Sequence, residues 1–174
     1  MEAILKREII VNKTACRTFA VIVFIILTAL GGFVRIPLPF TPVPITLQTF
    51  FVLLAGAFLG RNLGVLSQAT YMLLAFVGFG PTNGYFIGFI AAAALVGSLV
   101  KYTKEHFFAT LALFFLADIV LLLCGMLWLR LFLGQPLARS LIMGFVPFLA
   151  GDILKAAAAA FVYLRFSRRA KEIL

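Results

Sequence analysis

"TFAVIVFIILTALGGFV", residues 18–34, runs for seventeen positions without a charged side chain. As an α-helix rising about 1.5 Å per residue, it covers most of a hydrocarbon layer roughly 30 Å thick. A second uncharged run, "FFATLALFFLA" at 107–117, has the same character. Around them, 64% of the 174 residues are hydrophobic and 12% are charged, about half the charge of an ordinary soluble domain. The expected class is an all-α membrane protein, one integral membrane domain over 1–174. The first run is long enough to span and no small-residue cleavage site follows it, so it reads as a span and not as a signal peptide.

The net charge of +9 raises the possibility of nucleic acid, but the bases sit in short connections and tails. That is where membrane proteins keep cytoplasmic positive charge. No basic face interleaved with base-stacking aromatics is present, so no nucleic-acid partner is expected. Cys16 and Cys124 stand in separate apolar segments, and His106 is a lone histidine in a charged loop. No disulfide framework, metal site or His-based catalytic site follows from that set.

The rule of about 20 apolar residues per crossing gives six spans, near 15–34, 43–60, 63–79, 84–100, 107–133 and 140–164. Orientation follows from the positive-inside rule. With both termini cytoplasmic, the inner segments hold Lys6, Arg7, Lys13, Arg17, Arg61, Lys101, Lys104, Arg165, Arg168, Arg169 and Lys171. The outer ones hold only Arg35, Arg130 and Arg139. A multi-pass protein of the cell membrane results, with the proline-rich stretch 35–44 and the turn 80–84 facing outward together. No internal repeat is visible. Small residues recur at spacing four, Gly56/Gly60/Gly64, Gly84/Gly88/Ala92 and Ala156/Ala160, as expected where helices pack without a hydrophobic drive between them.

Four stretches could line an outward-opening pocket. "RIPLPFTPVPITLQTF" (35–50) carries four prolines that fix φ and donate no backbone hydrogen bond, which reads as a stiff extended crossing segment. Thr46 and Gln48 follow at its end. "GFGPTNGYFIGF" (78–89) pairs a tight turn with Asn83, Gly84 and Tyr85. "LSQATYMLL" (66–74) places Ser67, Gln68 and Thr70 at a helix start, with Tyr71 one turn deeper.

The fourth, "PFLAGDILKAAAAAF" (147–161), sets Asp152 and Lys155 three residues apart on one helical face. Even as a local ion pair they carry a desolvation penalty of several kcal/mol in lipid. Intramembrane ionisable groups point to substrate or ion pathways. A carboxylate only accepts and an ammonium only donates, so the pair suits a neutral edge carrying donors and an acceptor, such as a urea or lactam. Asp118 is a further acid in the fifth span, its partner open between backbone, Lys155 and water.

In order along the chain, "IPLPFTPVPITLQTFFVLLAGAFLG", "YMLL", "GPTNGY", "GMLWL" and "VPFLAGDILK" resemble the BioY family over about residues 31–165. BioY proteins are biotin-specific S components of energy-coupling factor (ECF) vitamin transporters. The resemblance implies a six-helix S component that binds biotin near the outer face. It works with a transmembrane T component and two ATPase subunits, which would hydrolyse ATP while this chain is no enzyme. It needs no cofactor. By motif, Asp152, Lys155, Thr46, Gln48, Asn83, Gly84 and Tyr85 are carried over as biotin ligands, and Tyr71 is added from its own position. Biotin's ureido ring, with two N–H donors and a carbonyl acceptor, fits the acid and base.

The chain departs from the family pattern in two places. Similar chains carry an extra glycine-rich stretch before "GPTGGY", where "FVGF" here runs almost directly into the turn. An A-x-x-x-A docking pair on the first helix is approximated only by Cys16/Ala20. The alternatives are a stand-alone biotin uptake facilitator, an S component for another vitamin, and, from another class, a small intramembrane enzyme. The last would need clustered acids for a metal or a nucleophile beside a base.

Overall fold

The computed structural model describes residues 2–75, 78–104 and 106–173, and within those limits the side chains from 13 to 167. Of the bases counted for orientation, the side chains of Lys6, Arg7, Arg168, Arg169 and Lys171 lie outside the described residues. So do residues 76 and 77 of the short connection before the "GPTNGY" turn.

The first helix, α1, runs Glu2–Phe33. It begins well before the apolar run, because helical hydrogen bonding propagates into water through good helix formers. The proline-rich stretch then doubles back, where an extended crossing segment had been expected. β1 (Arg35–Ile36) pairs antiparallel with β2 (Ile45–Thr46), Arg35 opposite Thr46 and Ile36 opposite Ile45. All four prolines fall in the loop between the strands, where no ladder donor is required. The Leu47 N–H closes the hairpin onto α1, donating to the carbonyls of Gly31 and Val34 at 3.1 and 3.2 Å.

α2 is one helical stretch, Gln48–Ala75, folded double at Gly60. Gly60 has φ +75° and ψ −178°, a conformation that a β-carbon opposes. A Cβ placed on Gly64 would lie 3.1 Å from the Gly56 Cα, and the Gln48 amide donates to the Tyr71 hydroxyl. In a straight helix those two pairs would stand about 12 and 34 Å apart. The arms 48–59 and 61–75 are therefore antiparallel neighbours joined without a loop. A Cβ on Gly60 would meet nothing within 4 Å, but Gly97 packs against the bend, where a Cβ would lie 2.4 Å from the Arg61 nitrogen and 2.5 Å from the Gly60 carbonyl carbon.

α3 (Asn83–Leu99) ends in a 3₁₀ turn, Val100–Thr103. α4 covers Phe107–Leu133, the span expected from the sequence. The stretch expected as one span at 140–164 is divided. α5 is a short helix, Leu137–Gly144, and the chain breaks at Phe145 before α6, Val146–Ile173. Pro147 sits in the first turn of α6, where its missing N–H costs nothing.

Among the described residues, five helical stretches are by length and composition able to cross a membrane, with folded α2 counted once and α5 and α6 counted together. Both arms of α2, α3, α4 and α6 enclose the core, in which Val52, Leu53, Ala92, Phe114, Ala156 and Ala160 are buried. Glycines set the spacing. A Cβ on Gly56 would meet the Ala93 carbonyl at 2.7 Å, and one on Gly88 the Leu121 carbonyl at 2.7 Å. α1 leans chiefly on α2 and leaves Phe19, Ile22, Ile26 and Leu30 exposed. Ser67 and Gln68 fill the seam between them, Gln68 donating to Thr28 and to Ser67 at 3.4 and 3.1 Å.

Candidate functional site

A cavity of about 690 Å³ opens between the β-hairpin, the end of α1, both arms of α2, α3, α4 and α6. Its walls are largely apolar, with Phe86, Phe89, Leu121, Leu122 and Phe148. Its polar groups converge from separate elements, the usual build of a small-molecule site.

Asp152 and Lys155 come from α6, one turn apart, so the helix itself fixes their register. Lys155 Nζ stands 2.7 Å from Asp152 Oδ1, with the lysine side chain 13% exposed and the aspartate 2%. Thr49, at the top of α2, points its hydroxyl at the same oxygen from 3.5 Å. An acceptor-only and a donor-only group thus share one desolvated surface.

On the opposite wall, Thr46 donates to Gln48 Oε1 at 3.2 Å, and the Gln48 amide donates on to Tyr71. This chain of three ties the hairpin to the far arm of α2 and exists because Gly60 folds that arm back. Tyr85 lies across Gly125, where a side chain would meet its ring at 2.3 Å. It donates to the Gly144 carbonyl at the end of α5, 2.6 Å away.

Of the residues expected from the sequence, Thr46, Gln48, Tyr71, Tyr85, Asp152 and Lys155 line this one cavity. Asn83 and Gly84 lie outside its lining and shape the turn behind it. The Asn83 amide donates to the Gly78 carbonyl at 3.0 Å. Gly84 packs against Trp128, whose indole N–H donates to the Gly80 carbonyl at 2.9 Å. Sequence reasoning missed Thr49 and Arg35, both in the lining. Thr49 stands beside Gln48 in the same motif, but its partner is 103 residues away and leaves no local trace. Arg35 had been counted only as an outer charge.

At the other end of the bundle, Arg17, Arg61 and Lys101 border a common hollow. Among the described residues, no three His, Cys, Asp or Glu side chains gather as a metal would require.

A model of the BioY family matches residues 6–172, a wider range than the motifs alone covered. The chain is 34% identical over 160 residues to the biotin transporter BioY of Thermotoga maritima, spanning 84% of this chain and 92% of that one. It is 36% identical over 156 residues to the probable biotin transporter BioY of Pyrococcus horikoshii, spanning 82% and 90%. Among solved structures it resembles the crystal structure of the S component for biotin from an ECF-type ABC transporter. That match has TM-score 0.77 and 29% identity over 91% of this chain and 92% of the other.

Proposed function

The chain belongs to the BioY family, and on that premise we propose that it is the biotin-binding S component of an ECF-type transporter. The observation that carries the reading is the Asp152–Lys155 pair on the floor of a largely apolar cavity. Biotin's ureido edge donates two N–H groups toward the carboxylate and offers its carbonyl to the ammonium, while the thiophane ring and alkyl chain lie against Phe86, Phe89 and Phe148. Thr46, Gln48, Thr49, Tyr71 and Tyr85 complete the polar lining. Asn83 and Gly84 act through the turn.

Six crossings follow if each arm of α2 is counted as one, with Gly60 at the inner surface. The hollow bordered by Arg17, Arg61 and Lys101 supports placing that end in the cytoplasm of a cell-membrane protein, which puts both termini there. The chain then acts as a single membrane domain and hydrolyses no ATP. A T component and two ATPase subunits would supply that work, and the face of α1 that exposes Phe19, Ile22, Ile26 and Leu30 is a surface on which a T component could dock, whereas Cys16 and Ala20 are half-buried.

Titration calorimetry of biotin into the purified, ligand-stripped protein tests the reading. Saturable binding that disappears in Asp152→Ala is expected. A folded wild-type protein that ignores biotin but binds another vitamin would replace the substrate and keep the site. Uptake in cells lacking a T component distinguishes a coupled S component from a stand-alone facilitator, and loss of uptake is the expected result.

A further inference from the structure

The hollow at the far end of the bundle from the cavity has a volume of about 560 Å³ and lies between α1, the bend of α2, the 3₁₀ turn after α3, and α6. Its walls include Ala57, Phe58, Leu59, Leu63 and Val100, and its rim carries Arg17, Arg61 and Lys101. Close packing gathers the last two. Gly97 of α3 sits on the bend, where a Cβ would lie 2.4 Å from the Arg61 nitrogen, and Lys101 follows one turn later. Arm 61–75 starts at this hollow, so the positive end of its dipole faces the same space. The ammonium of Lys101 rests over the Tyr102 ring, 4.9 Å from its centre. Neither Arg61 nor Lys101 forms an ion pair with a described residue, and the two acids with described side chains, Asp118 and Asp152, are absent from the lining. Cations held side by side repel one another unless an anion lies between them.

A buried hydroxyl gives an independent sign of a ligand. Tyr163 and Ser167, one turn apart on α6, both line the hollow and are 4% and 1% exposed. Tyr163 is packed through its ring, 5.4 Å from Phe58 and 6.1 Å from Phe114. Ser167 is placed differently. A helical Ser or Thr commonly returns its hydroxyl to the preceding turn, as Thr28, Ser98 and Ser140 do with carbonyls four residues back. Ser167 Oγ meets no partner among the described residues. Buried polar atoms nearly always have one, and this atom borders a space rimmed with cations. The missing partner is an acceptor held in that space.

We propose that the hollow binds the phosphate of an anionic phospholipid. Arg61 and Lys101 take the phosphate oxygens, Ser167 donates to the headgroup, and the glycerol and first acyl carbons lie along Phe58, Leu59 and Leu63. Phosphate supplies several acceptor oxygens and a charge that arginine and lysine both match. Position identifies the source as lipid. Arg17, Lys101 and Ser167 each stand within about one turn of the end of a candidate span, the depth at which headgroups meet basic pockets between helices. A free phosphate would leave the apolar walls against water, whereas lipid carbons cover them. The site is separate from the biotin cavity and does not depend on the biotin reading.

The test uses purified, delipidated protein in detergent, offered dioleoylphosphatidylglycerol or dioleoylphosphatidylcholine and followed by native mass spectrometry and thermal unfolding. The wild type should retain one phosphatidylglycerol and should unfold at a higher temperature with it than with phosphatidylcholine. The double variant Arg61→Gln/Lys101→Gln alters two exposed side chains and should bind phosphatidylglycerol about thirtyfold more weakly. Ser167→Ala keeps every charge and should weaken it about fivefold. Removing two exposed bases at the opposite end instead, Arg130→Gln/Arg139→Gln, should leave retention unchanged. Equal retention of the two lipids, unchanged retention in the Arg61/Lys101 variant, or equal losses in the two double variants would overturn the proposal. Binding of inorganic phosphate with no lipid retained would overturn lipid as the source. A folded wild type that retains none of these probes would overturn the site and leave its bases to an acidic protein partner.

Discussion

The floor and the mouth of the cavity are built on different principles. The floor is helical. Asp152 and Lys155 are held by the 3.6-residue period of α6, with buried Ala156 and Ala160 packed directly below. The mouth is loop. Two residues of strand pairing, a proline-rich connection and the 78–82 turn are held by a few bonds from Leu47, Thr46, Asn83 and Trp128. One turn of α6 fixes the register of the two charged groups at the floor, 2.7 Å apart. The mouth carries fewer and more exposed interactions, which suits entry and release.

Substitutions should separate the two regions in a definite order. Asp152→Ala removes one partner of a buried pair and leaves Lys155 without a counter-charge, a change that typically costs about 3–5 kcal/mol. A biotin titration should register it as the largest loss of affinity, and equal affinity in Asp152→Ala and Thr46→Ala would remove the contrast. Gly84→Ala comes next but acts on stability. Its Cβ would overlap the Trp128 Cβ at 2.1 Å, and overpacking of this kind costs about 1–3 kcal/mol. Thermal unfolding in detergent should show the drop.

Thr46→Ala breaks one link of the Thr46–Gln48–Tyr71 chain and should weaken biotin by about 1 kcal/mol, seen mainly as faster dissociation. Arg35→Ala should have the smallest effect at equilibrium. Arg35 is an exposed cation at the rim, so its loss should slow association of the anionic vitamin at low salt and matter little at high salt. Stopped-flow binding at two ionic strengths would show this, and a salt-independent change would mean that Arg35 touches the ligand instead of steering it.

The floor was also the more legible region in the sequence. An acid and a base at i, i+3 in an apolar run point to one face of one helix, and nothing distant is needed to see it. α4 could be read to its ends for a similar reason, since a long, predominantly apolar run bounded by His106 and Gly134 carries its own limits. Thr49 joins that floor only through the packing of α2 on α6, and residue spacing holds no record of such a contact. The mouth was read less well. Prolines in 37–44 suggested an extended crossing segment, and the short strands that fold it back owe their pairing to the end of α1. Near Gly60 the sequence did place a break, between spans ending at 60 and starting at 63, but the spacing of small residues did not show that a left-handed Gly60 makes the bend and leaves Gly56 and Gly64 to touch across it.

The loopless bend at Gly60 also bears on how the chain is made. At about 1.5 Å per residue, arm 48–59 is about 18 Å long and arm 61–75 about 22 Å, each well short of a hydrocarbon layer of roughly 30 Å. Neither is a good stop-transfer signal alone. If each arm is a crossing, as proposed above, the two are expected to enter the bilayer together as one hairpin, with Gly56 and Gly64 in contact along its seam. Gly60 would then be a residue on which biogenesis depends before any vitamin is bound.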